Sequence, residues 1–425
     1  MIDVPSLWAA TAPAAAATPA LAESLQVDVA IVGAGYTGLS TALHLAERGV
    51  RVCVLEAREP GWGASGRNGG QVNPTLKHDP DELVRLYGAD VAEPLIDTVS
   101  HSADLVFGLI DRHRIDCAPV RKGWMQVSYS DKAVAGLHAR ASQWERRGVP
   151  VQRLDAKAVA ARMGSGAFVG GWLDGRAGAI QPLAYARGLV RAAQAAGVQI
   201  YGQSPVTGLQ RQGSGWQLRT AGGAHVNAER VVLATNGYSD GLWPGMAQSV
   251  LAANSFIVAT KPLSSAQAQQ VLPGNETVST AQRLLLYFRK DSHNRLLMGG
   301  RGLFDDPSGP QDFAHLERSL ALLFPQLGKL DFEYRWAGRI AITRDFMPHV
   351  HEPAPGLTLA LGCNGRGIAL CTSLGQQLAG RLCDSTADFA YPISTLQKLP
   401  MHGLQRFYIG AAVAWYSLLD RLNVG

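Results

Sequence analysis

The stretch VDVAIVGAGYTGLSTALHLAERGVRVCVLEA, Val27 to Ala57, constrains the fold of this chain most, because it sets out every part of a dinucleotide-binding βαβ unit in order. An apolar strand over Val27–Val32 runs into Gly33-x-Gly35-x-x-Gly38, a helix continues to about Arg48, and a second strand over Arg51–Leu55 ends at Glu56. Gly33 permits the tight turn, and Gly35 lets backbone N–H groups approach a pyrophosphate at the positive end of the helix that opens with Tyr36 and Thr37. Gly38 lets helix and strand pack closely, and Glu56, followed by Ala57, is placed to accept ribose hydroxyls. A glycine triplet alone is a weak signal; here the strands, the helix and the acid about 20 residues on accompany it.

The next segment selects the dinucleotide. A nicotinamide enzyme continues into another βα unit, whereas Gly61-Trp-Gly-Ala-Ser-Gly-Arg-Asn-Gly-Gly-Gln71 is Gly-rich and polar, suited to lying along a cofactor through Ser65, Gly66, Arg67, Asn68, Gly69, Gly70 and Gln71. That points to a flavin. A flexible linker is the alternative, but Trp62, Arg67, Asn68 and Gln71 are costly in a segment without contacts.

At 425 residues the chain is long enough for two domains and a large core, and 47% hydrophobic residues is ordinary for a globular protein. The net charge of +5 is dispersed, so no nucleic-acid patch stands out. The N-terminus has no basic region, the Ala-rich stretch Ala9–Ala22 is broken by Pro13 and Pro19, and no run reaches the ~18 apolar residues of a membrane span. The expectation is a cytoplasmic protein with no integral membrane segment. Five cysteines without CxxC spacing argue against a disulfide framework or a zinc site, and His349-Val-His351 has no third ligand in view, so no metal is expected.

Structure type alternates along the chain. Asp81–Arg114 reads as helical, Gly123–Tyr129 as a strand, and Gln181–Gly197 as a helix with Pro near its start and Gly after its end. Strands follow over Val198–Tyr201, Gly215–Thr220 and Arg230–Ala234. Residues 241–335 are richer in β, with Ser255–Ala259, Leu284–Arg289 and Arg295–Gly300 as strands. Leu357–Leu361 then leads through Gly362-Cys-Asn-Gly-Arg-Gly367 into a helix to about Leu382. Gly365, Arg366, Gly367 and Ile368 form a helix start able to stabilise negative charge on a reduced flavin.

GAGYTGLSTALHLAE, GASGRNGGQ, Leu286-Tyr-Phe-Arg289, Arg295-Leu-Leu-Met-Gly-Gly-Arg301, Tyr334-Arg-Trp-Ala-Gly338 and the terminal segments Ser6–Ala12 and Ala414–Arg421 together carry a specific likeness. The chain resembles the D-amino-acid oxidase-like superfamily of flavoproteins, and within it the γ-glutamylputrescine oxidases. The resemblance implies an α/β (α+β two-domain) fold of the D-amino-acid oxidase/glutathione-reductase-like type, a Rossmann-like FAD-binding domain interleaved with an antiparallel β-sheet substrate domain. It assigns residues 1–88, 148–240 and 336–425 to the first domain, and 89–147 and 241–335 to the second. It further implies that Val206 holds adenine through its backbone and that Gly338 lies at the cofactor.

The resemblance also implies a chemistry: an amine gives a hydride to flavin N5, the resulting imine is hydrolysed, and O2 is reduced to H2O2. Tyr287 and Arg301 match positions where relatives place active-site residues, and Arg289 alternates onto the face of Tyr287. Arg and Tyr suit a substrate carboxylate, while Arg366 adds a positive charge at the flavin-facing helix start and would take the carboxylate only of an N-substituted amino acid. Sarcosine-type oxidases hold the carboxylate with a lysine where this chain has Ala369. The expected substrate is therefore a longer γ-glutamyl amine, with N-substituted amino acids such as sarcosine or iminodiacetate as the alternative. Relatives with covalent flavin use a Cys within the segment matching Gly338–Val350, which here has none, so the expected FAD is non-covalent. Oligomeric state is left open.

Overall fold

The computed structural model of the chain describes residues 6–282, 284–405, 407 and 410. The segment Ala414–Arg421, with Trp415 and Tyr416, lies outside the described residues, as does Met1–Asp3.

The opening βαβ unit forms the middle of an eight-stranded sheet. Leu25–Val32 pairs in parallel with Val52–Leu55 on one side and with His225–Leu233 on the other. Gln199–Tyr201 extends the sheet in parallel beyond Val52–Leu55, and Leu357–Leu361 does so beyond His225–Leu233, with His349–Ala354 antiparallel at the far edge. An internal parallel strand is covered on both faces, and Val29, Ala30, Ile31 and Val32 are all buried. Helices Tyr36–Ala46, Ser102–Arg112, Pro182–Ala195 and Gly367–Cys383 contribute to the core on one face. The hairpin Val206–Gln212/Gly215–Thr220, with Trp216 and Leu218 inward, covers the other.

A second eight-stranded sheet runs in the order Phe332–Ile342, Leu251–Thr260, Leu296–Arg301, Tyr287–Lys290, Thr277–Thr280, Trp124–Ser128, Gly170–Asp174, Val151–Asp155. Its pairings are antiparallel except that of Thr277–Thr280 with Trp124–Ser128. Its core gathers Met125, Phe256, Val258, Phe288, Met298 and Phe313. The mixed architecture expected from the sequence is the one observed.

The strands divide the chain differently from the expected boundaries. Val151–Asp155 and Gly170–Asp174, grouped by sequence with the cofactor part, are outer strands of the second sheet. Ser102–Arg112, grouped with the substrate part, buries Ala103, Val106 and Ile110 under the first sheet. Phe332–Ile342 runs as one strand through the 335/336 boundary. Which sheet a short strand joins is decided by the neighbours it packs against, and a period-two pattern carries no information about that. The helical reading of residues 81–114 resolves into Pro80–Tyr87, Ala89–Ser100 and Ser102–Arg112, with Gly88 at φ 76° separating the first two.

One buried ion pair anchors the outer end of the second sheet. Arg176 Nη2 meets Asp174 Oδ2 at 2.6 Å, with side chains 8% and 0% exposed. Its Nη1 donates to Ser100 Oγ at 2.6 Å, and the guanidinium lies 4.3 Å from the Trp144 ring centroid. Asp174→Ala leaves that guanidinium buried without its counter-charge and is expected to cost about 3–5 kcal/mol. Urea denaturation measures this, and a loss below ~1 kcal/mol would show that the pair is not an anchor.

Candidate functional site

The glycine turn sits where the first parallel strand ends. Gly33 has φ 105°, and a Cβ on Gly38 would overlap the Gly33 carbonyl, so close packing of helix against turn requires glycine there. The Tyr36 N–H at the helix start donates to Ser65 Oγ at 3.0 Å, which puts the Gly-rich loop directly over the helix N-terminus. Thr37 follows in the same buried turn. Glu56 Oε2 accepts from the Ala34 N–H at 2.9 Å, while Ala57 is exposed beside it. The chain returning toward Val206 passes the same place, since the Ser204 N–H donates to the Glu56 carbonyl at 2.8 Å and Gln203 N–H to that of Arg58.

The loop after Ser65 is irregular, yet its carbonyls are taken. Trp336 Nε1 donates to the Arg67 carbonyl at 2.8 Å, Trp8 Nε1 to that of Asn68 at 2.8 Å, and Arg289 Nε to that of Gly69 at 2.7 Å. Gly70 O accepts from the Ile180 N–H. Inside the loop, the Asn68 amide donates to the Ala64 and Ser65 carbonyls, and its oxygen accepts from the Gly70 N–H at 2.8 Å. Gly66 is buried below, where a Cβ would overlap the Gly61 carbonyl. Trp8 is itself buried, edge-on to Trp336 with centroids 5.8 Å apart, so its packing is internal to the chain.

Between the two sheets lies a cavity of ≈ 290 Å³. Its wall includes Tyr36, Ser65, Arg67, Asn68, Gly69 and Gln71 from the first glycine segments, Gly338 from the second sheet, and Gly365, Arg366, Gly367 and Ile368 from the last turn. Gly33, Gly35, Gly38, Glu56, Gly66, Gly70 and Val206 are outside that wall, at or behind the βαβ turn. A dinucleotide suits this arrangement of a glycine turn, helix start and Gly-rich loop: a Cβ on Gly35 would stand 3.0 Å from Ser65 Oγ, so glycine there lets the loop close over the helix start.

Tyr287 reaches the same cavity, with its hydroxyl 2.9 Å from Ser255 Oγ. A Cβ on Gly299, opposite it on the next strand, would overlap the ring, so Gly299 makes room for it. Burial pushes the phenol up to about 12, which keeps it a neutral hydrogen-bonding group at physiological pH.

The three arginines divide. Arg366 lines the cavity, its Nη1 donating to Thr75 Oγ1 at 2.6 Å and its guanidinium 5.2 Å from the Trp124 ring centroid. Arg301 pairs with Ser255 across the strands, but its side chain is not in the cavity wall. Arg289 shares the face of Tyr287, as expected from strand alternation, but it is outside the cavity wall: it is buried and donates to the Gly69, Ile180 and Lys290 carbonyls. Each of its three nitrogens donates to a backbone carbonyl, which suits it to positioning the loop.

Sequence reasoning missed two charged contributors to the wall. Lys77 and Arg140 carry charge into it, and Cys363 places its Sγ 3.2 Å from Asn236 Nδ2. Hydrogen bonds from Cys371, from the Gly365 N–H and from Asn236 pull the Cys363 thiol below the ordinary range, against the effect of burial. Cys363 lies in a segment already singled out. Arg140 stands on the helix Asp131–Glu145 with no local motif to mark it. His349 and His351, the expected non-metal pair, contact Asp345 and the Ser394 carbonyl respectively.

Comparison with known proteins gives three consistent findings. The FAD dependent oxidoreductase (DAO) family model matches residues 28–381. The chain is 36% identical over 425 residues to the gamma-glutamylputrescine oxidoreductase of Escherichia coli (strain K12), covering 99% of each. It also superimposes on the crystal structure of glycine oxidase from Geobacillus kaustophilus with a TM-score of 0.74 at 25% identity, covering 88% of this chain and 99% of that one.

Trp8→Phe keeps an aromatic ring in place but leaves the Asn68 carbonyl without its donor, at a cost of about 1–3 kcal/mol. If the loop is the cradle, the variant should bind FAD roughly tenfold more weakly with its circular dichroism unchanged. An unaltered FAD dissociation constant would detach this contact from cofactor binding.

Proposed function

We propose, from the premise that this chain belongs to the DAO family of FAD-dependent oxidoreductases, that it oxidises a γ-glutamyl amine such as γ-glutamylputrescine. The observation that carries this reading is the full-length similarity to a relative named for that substrate. In support, residue 369, where sarcosine-type oxidases have their carboxylate-binding lysine, is an alanine buried in the helix core. Bound FAD would supply the hydride acceptor for the carbon beside the amine, with the electrons passing to O2 as H2O2, and the imine left on the substrate would be hydrolysed to a carbonyl compound.

The chain's own part is positioning. Tyr287 and Ser255 offer neutral hydroxyls to the amine, the glycine turn 365–368 directs a helix start at the cofactor, and the layered sheets limit water. FAD is held without a covalent bond through Ser65, Arg67, Asn68, Gln71, Gly338 and the last turn, with Glu56 and Val206 toward the adenosine end. No helix among the described residues is long and apolar enough to cross a membrane. All five cysteines are unpaired, which supports a reducing, cytoplasmic setting.

Oxidation or dehydrogenation of an N-substituted amino acid is the second reading, favoured by Arg366 at the glycine turn. Anaerobic mixing with γ-glutamylputrescine, putrescine, sarcosine and iminodiacetate separates the two. Bleaching of the flavin band by the γ-glutamyl amine alone, reversed by air with peroxide release, is the expected result. Bleaching by sarcosine or iminodiacetate instead would make the second reading correct. Denaturation should release intact FAD, and flavin that stays with the precipitated chain would refute non-covalent binding.

A further inference from the structure

The cavity carries more positive charge than the chain neutralises. Arg366, Arg140 and Lys77 all reach its wall, from the last glycine turn, from the helix Asp131–Glu145 and from the segment leading into Pro80–Tyr87. Alternate residues of that last segment organise the group: Thr75 accepts from Arg366, Lys77 enters the wall, and Asp79 pairs with Arg140 Nε. Gln126 Oε1 accepts from Arg140 Nη1 at 2.7 Å. The carboxylate of Asp79 is thus the group's one direct ion-pair partner among the described residues, because the nearby Asp174 is spent on Arg176.

Two atoms of the group are left open. Arg366 Nε is buried and has no hydrogen-bond partner. Lys77 is exposed and contributes to the cavity wall. Burial, with Arg366 and Arg140 adding repulsion, pushes its ammonium down to about 8. Three like charges held together at partial burial repel one another unless an anion joins them.

We infer that Lys77, Arg140 and Arg366 form the binding corner for a substrate carboxylate remote from the oxidised carbon, the α-carboxylate of a γ-glutamyl group. This rests on the substrate reading above and adds to it a location and a division of labour. The neutral hydroxyls of Tyr287 and Ser255 face the amine end, and the cations take the acid end. A guanidinium held over Trp124 and on Thr75 and a second one held by Asp79 present donors in set directions, and Lys77, between Thr75 and Asp79 in sequence, supplies a point charge on a flexible stem.

The test uses the FAD-loaded protein and two non-oxidisable probes, γ-glutamyl-n-butylamide and 4-aminobutanoyl-n-butylamide, which differ by the α-carboxylate. Titration calorimetry should show the first binding roughly tenfold or more tighter. Lys77→Gln should remove that preference and Lys77→Arg retain most of it. Equal binding of the two probes by the unmodified protein, or a preference that survives both Lys77→Gln and Arg140→Gln, would overturn the assignment. Turnover of γ-glutamylputrescine is scored separately: preference without turnover keeps the anion corner and removes the substrate reading, whereas turnover without preference does the reverse.

Discussion

The Gly-rich loop over the helix start depends on one requirement, that the carbonyls of Arg67, Asn68 and Gly69 find donors. They belong to an irregular segment with no ladder or helix to satisfy them, and unpaired buried carbonyls are costly. Trp336, Trp8 and Arg289 each supply one bond. These donors come from the second sheet and from the N-terminal helix Leu7–Thr11, so the loop ties the two sheets and the start of the chain at one place. Ser65 and Asn68, fixed by the same segment, in turn meet the helix start at Tyr36.

What the sequence revealed follows from which interactions are local. Gly33, Gly35 and Gly38 are read within six residues of one another, and their packing in the structure is the packing their spacing implies. Gly299 and Tyr287 are twelve residues apart, and their motifs were legible even though the glycine's purpose, room for the ring, appears only with the strands paired. Arg289 shows the limit. Strand alternation gave its face correctly, but a face holds both cavity and loop backbone, and only the fold shows which one the guanidinium meets. Lys77 and Arg140 were silent because a charged residue in a loop or on an amphipathic helix looks the same whether it faces solvent or a cavity.

The cavity sets unlike groups against each other. The phenol of Tyr287 is kept neutral by burial, and the cations near Trp124 keep their charge at the cost of mutual repulsion. Low dielectric accounts for both: it disfavours ionisation where no charge is needed and makes an incoming anion valuable where charge has been assembled. Cys363 is a further departure, drawn toward the thiolate by donors despite being buried beside the glycine turn.

The donor trio also dictates an order of events during biosynthesis. Two of the three donors, Arg289 and Trp336, stand 220 and 269 residues after the carbonyls they meet. Until both are made the loop at 67–69 lacks one or two of its three donors, and a nascent chain carrying the first glycine motif cannot yet hold that loop in place. Ordering of the loop is thereby tied to the strand Phe332–Ile342, so a product truncated before it retains the glycine spacing in its sequence without all the donors that hold the loop.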